Sequence, residues 1–497
     1  MIYLIRLLVL PFFLLCLAGL PARSQQLADK VREHRLDNGL TLLMVERHLS
    51  PTVAAYITFR VGGVHESSRQ RGAAHLLEHM LFKGTRTLGT KDYEKEKPLL
   101  EEIERVGSAI DRLKIEPDAD SVRLDELRQR LQVLQQEHRE WVVKDEFSRI
   151  YAEHGGVGFN AFTSKDLTSY VISLPANKLE LWASIESDRL QNAVLREFYT
   201  EREVVREERR RSYESNPGGL LYETLLATAY RMHPYRNPVI GWDSDIDNLT
   251  LAETSQFLHD YYAPANMVIT LVGAFDPDET LDLIRRYFGH IEPGTPVPTV
   301  ADREPEQRGE RRAHIVFDAE PRMAIAFHKP TMPHHDDYVF DLLMQTLAAG
   351  RTSRLYRALV VEQQVATSVD VYTAPGSRYD NLMVIAATPR HPHTAAEVES
   401  AIYAELERLM EEPVAEDELE TARNRILTDF LRRLNSNEGM ARMLSSYQAL
   451  GGDWRYLVEY EKQVAALTSE DLQEVARRYL HPGNRTVITL GRNGGES

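Results

Sequence analysis

The chain has 497 residues, 43% of them hydrophobic and 27% charged, with a formal net charge of −16. That length exceeds what a single core organises and the composition excludes a disordered chain, so two or more globular domains are expected. The acidic balance, with no basic stripe, excludes a nucleic-acid binder, and the lone Cys16 excludes a disulfide framework.

Residues 1–24 read as a secretory signal peptide. Arg6 precedes an apolar run from Leu7 to Leu20, and Pro21-Ala22-Arg23-Ser24 follows. The run is too short for a comfortable bilayer span. Cleavage near Ser24–Gln25 would leave an exported, cysteine-free chain with no stable membrane span, and the bacterial periplasm is the expected compartment. Residues 33–47, with a turn at Asp37-Asn38-Gly39, and 52–61 read as strands.

The next stretch carries the chemistry: Gly72-Ala-Ala-His75-Leu-Leu-Glu78-His79-Met-Leu-Phe82-Lys83-Gly84-Thr85. On a helix, His75 and His79 lie about 40° apart and Glu78 about 60° to the other side of His75. Two imidazoles one turn apart can hold Zn²⁺, and a carboxylate on the same face can accept a proton from a water that the metal polarises. The H-x-x-E-H order is a catalytic signature. Leu76, Leu77, Met80, Leu81 and Phe82 bury the helix, Gly72 lets it approach other backbone closely, and Gly84 supplies a stop. A buried Glu without a partner costs several kcal/mol, and a metal removes that cost.

Residues 92–153 read as an insertion. Leu100, Ile103, Val106, Ile110 and Leu113, then Leu124, Leu127, Leu131 and Leu134, recur at helical spacing on either side of Pro117, which predicts a two-helix hairpin. A glycine-rich turn at 155–158 feeds a strand through Asn160, Ala161, Phe162 and Thr163, and a second strand runs to Pro175. Residues 176–194 form an amphipathic helix. In the segment Tyr199–Arg211, Glu201 and Glu208 are seven apart and share one helix face with Val204 and Val205 between them. A third metal ligand is expected here, and geometry alone leaves Glu207 and Glu208 both open. His233, before a proline and off any helical face, reads as structural.

An internal repeat is visible. Leu249-Thr250 and Leu467-Thr468 each begin a helix that ends at a proline fourteen residues after the Thr, then an Asn two further on, then Val-Ile-Thr-Leu. Order, identity and spacing agree, so the chain is two copies of one α+β unit. The expected domains are residues 25–291, a linker over 292–312 rich in Pro, Gly and charge, and 313–497. The second copy carries no H-x-x-E-H. His334 and His335 are adjacent and cannot share a helix face.

The stretch GAAHLLEHMLFKGT resembles the active-site helix of the pitrilysin family of zinc peptidases, which includes the mitochondrial processing peptidase. The family has the duplicated architecture, so the resemblance covers nearly the whole mature chain. It implies two homologous α/β-sandwich halves, each an antiparallel-rich sheet covered by helices. It implies a zinc endopeptidase with one Zn²⁺ per chain held by His75, His79 and Glu208, with Glu78 as catalytic base and Glu201 as a supporting carboxylate. The run G-x-x-N-A-x-T-x-x-D-x-T-x-Y is similar to the family's edge strand, which binds peptide by strand addition. It implies substrate contacts at Asn160 and Ala161, with Phe162 lining a pocket beside the scissile bond. One departure stands out. Active single-chain relatives carry an Arg and, seven residues later, a Tyr; here those positions are Val360 and Thr367. Neither supplies a guanidinium or a phenol, which implies a related, zinc-less partner subunit that does. A non-catalytic scaffold subunit is the rival expectation.

Overall fold

The computed structural model describes residues 27–492, so the signal peptide expected over residues 1–24 lies outside the described residues. The first half contains, in order, β1 (Val31–Arg35), β2 (Thr41–Glu46), β3 (Thr52–Phe59), α1 (Ala73–Met80), α2 (Tyr93–Leu113), α3 (Ser121–Arg139), α4 (Glu146–Glu153), β4 (Val157–Thr163), β5 (Thr168–Pro175), α5 (Leu179–Asn192), α6 (Phe198–Arg209), α7 (Pro217–Ala229), α8 (Asp243–Asn248), α9 (Leu251–Tyr261), β6 (Met267–Gly273) and α10 (Pro277–Phe288). The second contains β7 (Arg311–Val316), β8 (Arg322–Lys329), α11 (His335–Ala348), β9 (Ala366–Ala374), β10 (Asn381–Pro389), α12 (Ala395–Glu411), α13 (Glu416–Asn435), α14 (Asn437–Gly451), α15 (Tyr456–Ala466), α16 (Ser469–Tyr479) and β11 (Arg485–Gly491). Among the described residues no helix is long and apolar enough to cross a membrane.

The duplication is explicit in the sheets. The first has strand order β1-β2-β6-β3-β5-β4 and the second β7-β11-β8-β10-β9, the same order without the extra outer strand. In each, one parallel pair (β2 with β6, β7 with β11) sits in an otherwise antiparallel sheet. The repeated Thr-to-Pro segments become α9 and α16. Thr250 accepts from Glu253 N and Thr468 from Asp471 N, both at 3.2 Å, and each acid reaches back to its threonine. β7 begins at Arg311, inside the residues expected to form the linker.

Period-two alternation gives each sheet two buried faces. On β3, Val53, Ala55, Ile57 and Phe59 pack against the first-half helices, α1 among them. Ala54 and Tyr56 face the other way, onto Ala441 and Leu444 of α14, a second-half helix. The second sheet receives the converse. Ala324 and Ala326 of β8 pack on Leu221, Leu225 and Leu226 of α7, a first-half helix. Each half therefore lends one helix to the back of the other's sheet. At this seam Thr58 Oγ1 lies 2.7 Å from Ser169 Oγ and 2.6 Å from Ser445 Oγ.

The expected hairpin is α2 and α3, joined by their own small core of Val106, Ile110 and Leu134. The stretch 92–153 also holds α4, whose Phe147 and Tyr151 enter the main core. The hairpin is tied to the body by a buried network. Arg196 Nε donates to Glu96 Oε1 at 2.7 Å, and His138 Nε2 lies 2.7 Å from the same oxygen.

The seam makes a quantitative expectation. Leu444 is fully buried against the first sheet. Leu444→Ala should cost about 2–5 kcal/mol of stability, read as a lowered urea midpoint by tryptophan fluorescence.

Candidate metal centre

α1 is eight residues long, too short to persist in isolation. Tertiary contacts hold both of its ends. At the N-terminus Gly72 adopts φ +88°, and a Cβ there would come within 2.7 Å of Ile240 O. The Glu66 carboxylate accepts from Gly72 N at 3.0 Å and Ala74 N at 2.8 Å, satisfying amides left free at the helix start. At the C-terminus the Arg196 guanidinium donates to the carbonyls of Lys83, Thr85 and Leu88. The helix stops at Met80, ahead of Gly84 at φ +113°.

The side chains aimed from this helix meet α6. Glu208 Oε1 lies 3.6 Å from His75 Nε2, and Glu208 Oε2 lies 3.4 Å from His79 Nε2. One ligand atom from each of His75, His79 and Glu208 falls within 4.8 Å of the others. Ligands held at 2.0–2.1 Å on a tetrahedral ion are about 3.3–3.4 Å apart, so the spacing suits zinc. Among the described residues His75 Nδ1 is buried with no hydrogen-bond partner, and it is Nε2, on the far side of the ring, that faces Glu208. The donor set, two imidazoles and one carboxylate, also suits zinc.

Behind the three residues stands a second carboxylate. Glu201 Oε2 is 3.5 Å from His79 Nδ1, and Glu201 Oε1 is 2.5 Å from Lys83 Nζ, which also contacts Glu197 Oε2 at 3.2 Å. Holding His79 at Nδ1 leaves Nε2 directed at Glu208. Of the two valines between Glu201 and Glu208, only Val205 is buried; Val204 is exposed. Glu207, the open alternative, is paired with Arg210 and Arg211 at the surface.

Charge sets the protonation states. Burial pulls the His75 imidazolium down to about 4. Burial also acts on His79, but Glu201 and Glu208 together outweigh it and lift that imidazolium to about 9. The contact with His79 holds the Glu208 carboxyl below its usual range. Burial raises the Glu78 carboxyl, with Thr163 and the charge on His79 pulling the other way. A carboxyl raised toward neutrality is suited to exchanging protons at physiological pH.

β4 is an outer strand of the first sheet, as the sequence predicts. Asn160 is exposed and Ala161 buried. Phe162 pairs with Ser169, on the face toward α14, and the Arg442 guanidinium stacks over its ring at 5.4 Å. A bulge between Val157 and Asn160 sets this alternation, so Phe159, Ala161 and Thr163 share the α1 face instead. Phe159 meets Phe82 there, with ring centroids 5.1 Å apart. In the second half Val360 is packed into the core, and Thr367 is exposed on β9 with its hydroxyl on Thr388 O. His233 accepts from Tyr235 N and packs among Tyr230, Tyr235 and Tyr379, outside the contacts that join His75, His79 and Glu208. Sequence reasoning missed Glu66, Lys83 and Arg196. The one-turn spacing of His79 and Lys83 could have flagged Lys83; nothing local marks the other two.

A duplicated α+β chain with a paired-imidazole and carboxylate site on one half defines a class, that of the two-half zinc peptidase fold. The family model described as Insulinase (Peptidase family M16) matches residues 41–117 and 139–243, and the model described as Peptidase M16 inactive domain matches 248–426. The chain belongs to peptidase family M16. The stretch passed over by the first match, 118–138, holds most of α3. The chain is 27% identical to "Zinc protease PqqE" of Helicobacter pylori over 98% of both chains. It is 22% identical to the probable mitochondrial-processing peptidase subunit beta of Schizosaccharomyces pombe, over 93% of this chain and 91% of that one. A crystal structure of a protease from Helicobacter pylori superposes with a TM-score of 0.78 at 26% identity, over 93% of this chain and 99% of that one. The periplasmic protease PqqL of Escherichia coli superposes at 0.68 and 18% identity, with this chain covering 48% of its length.

These protonation states give a measurable proton count. At pH 7 His75 is neutral and Glu208 ionised, whereas His79 carries a proton that a metal must displace. Zinc added to the metal-free protein should release about one proton per site from His79 at pH 7. That contribution should be absent from the His79→Ala variant and lost as pH rises through the His79 value, while any proton given up by a water on the ion adds to the count. Calorimetry in buffers of different ionisation enthalpy reads this number directly.

Proposed function

We propose that the chain is a zinc-dependent endopeptidase that hydrolyses peptides or unfolded segments. The observation that carries the reading is Glu208 lying against both imidazoles of a helix whose own Glu78 shares their face. His75, His79 and Glu208 would hold one zinc ion. When bound, zinc supplies Lewis-acid polarisation of the scissile carbonyl and a lowered pKa for the attacking water. Glu78 accepts the proton from that water and passes it to the leaving amine. Glu201 keeps the His79 ring oriented through Nδ1, and Lys83 keeps Glu201 in place.

The substrate strand adds to the free edge of β4, with main-chain contacts at Ala161 and a polar contact at Asn160. Phe162, whose ring lies under Arg442, lines a pocket beside the scissile bond on the α14 side of this strand. The relatives' names support peptide-bond hydrolysis, and the leader-like residues 1–24 support export to a periplasm.

The positions of Val360 and Thr367 support a second element of the reading. A related subunit without the metal motif supplies the missing Arg and Tyr. The same depletion is what a scaffold subunit would show, so the two are separated by the base. Glu78→Gln should retain one zinc per chain and lower peptide turnover about 10²–10⁴-fold, whereas a scaffold's function would be untouched. Glu208→Gln should lose both zinc and turnover. For the assembly, the isolated chain should be weakly active and gain activity on adding the zinc-less relative; a fully active monomer at working concentration would rule the pairing out.

A further inference from the structure

Lys165 lies in the turn between β4 and β5, two residues beyond Thr163. Its side chain is 3% exposed, and among the described residues no carboxylate lies within ion-pairing distance and no hydrogen bond engages its ammonium. The two carboxylates whose charge reaches it are engaged elsewhere, Glu66 with the amides of Gly72 and Ala74, and Asp166 with Tyr235 Oη and Ser377 N. Burying an ammonium without a directly paired acid costs several kcal/mol. The backbone around it is fixed, since Val64 N donates to Lys165 O at 2.8 Å. Burial pulls the ammonium down to about 8, against the opposing pull of Glu66 and Asp166.

Lys165 lines a cavity of about 310 Å³ with Thr163, Tyr213, Tyr222, Glu223 and Arg236. The cavity adjoins the metal centre on two sides. Thr163 is the residue that faces the Glu78 carboxyl, and Tyr213 lies one turn beyond Glu208. The acid in the wall is not free to serve the lysine, because Arg209 holds Glu223 at 2.7 Å. Arg236 stands exposed at the mouth, tied to Arg231 O at 2.9 Å. The cavity thus offers one buried and one exposed cation and two tyrosine hydroxyls, with its own carboxylate already neutralised.

We infer that this cavity is a carboxylate subsite, in which Lys165 receives either an acidic side chain of the peptide near the scissile bond or the peptide's C-terminal carboxylate. Arg236 draws the anion in, and the tyrosine hydroxyls donate to its oxygens. The subsite rests on the peptidase reading only for its purpose; its binding chemistry can be read apart from turnover.

The test uses the full chain and short fluorescein-labelled peptides, alike except for one Glu or Gln moved through the sequence, each as free acid and as C-terminal amide. Fluorescence anisotropy reads binding. At least one acid form should bind about tenfold or more tightly than its amide. The Glu/Gln pair reports a side chain, and the acid/amide pair at the terminus reports the chain end. Lys165→Met should bring the ratio close to one. Equal binding of acid and amide forms by the unaltered chain, in both pairs, overturns the subsite whether or not the variant folds. So does a preference that survives Lys165→Met. Cleavage of the same peptides separates the two readings: acid-selective binding without any turnover removes the peptidase and keeps the subsite, and turnover indifferent to charge does the reverse.

Discussion

The structure turns on how a two-turn helix is held still. α1 carries both imidazoles and the adjacent acid, yet eight residues cannot fix their own direction. Glu66 fastens its first amides from one side, and from the other Arg196 fastens the carbonyls of the turn that follows it. Arg196 is itself locked by Glu96, fully buried on α2. The position of the imidazoles is therefore set by charges supplied from the β3–α1 connection, the hairpin and the approach to α6. This arrangement suits a site whose ligand atoms must sit within a few tenths of an ångström of a metal's preference.

The second half carries a different polar cluster on the helix that follows β8. On α11, Asp337 and Asp341 stand one turn apart, as His75 and His79 do on α1. Lys329 at the end of β8 pairs with Asp337, and Tyr460 Oη donates to Asp341 Oδ2 at 2.7 Å. Burial, reinforced by Asp337, raises the Asp341 carboxyl to about 6. Partners within the protein close this network, whereas His75 and His79 both turn Nε2 toward the half-exposed Glu208 carboxylate. The exchange of α7 and α14 between the backs of the sheets keeps the two halves from separating: removing either helix would expose an apolar sheet face on the other half.

Much of this was legible in the sequence, and the parts that were not share a cause. Periodicity and spacing are local signals, so the motif on α1, the hairpin α2–α3, the strand β4 and the repeat could all be read, whereas the outer position of β4 came from the family resemblance. His75, Glu78 and His79 share a helix, and their mutual geometry follows from 3.6 residues per turn. The pairing of Glu208 with that helix needed tertiary placement, because Glu207 and Glu208 differ by one position that spacing cannot rank. Glu66, Arg196 and the exchange of helices join residues far apart in the chain and leave no local pattern. The bulge in β4 was hidden for a different reason. One extra residue in the bulge before Asn160 inverts the alternation downstream, and a bulge has no reliable signature when glycines already crowd the turn.

That inversion constrains what the edge of β4 can do. An outer strand with unpaired amides and carbonyls either stays bare, which invites aggregation, or receives another strand. On this edge the two faces are unequal. The face bearing Phe162 and Ser169 is already closed by α14 and Arg442. The face bearing Ala161 and Thr163 opens toward Glu78 and the cavity of Lys165. A peptide added to β4 would send alternate side chains to each face, so those on the α1 side alone would meet the metal centre and the buried lysine. The residues between them would meet α14, part of the second half. The half without a metal motif thereby has a physical part in the site: it walls one side of the strand to which a peptide would add, and leaves the chemistry to the other.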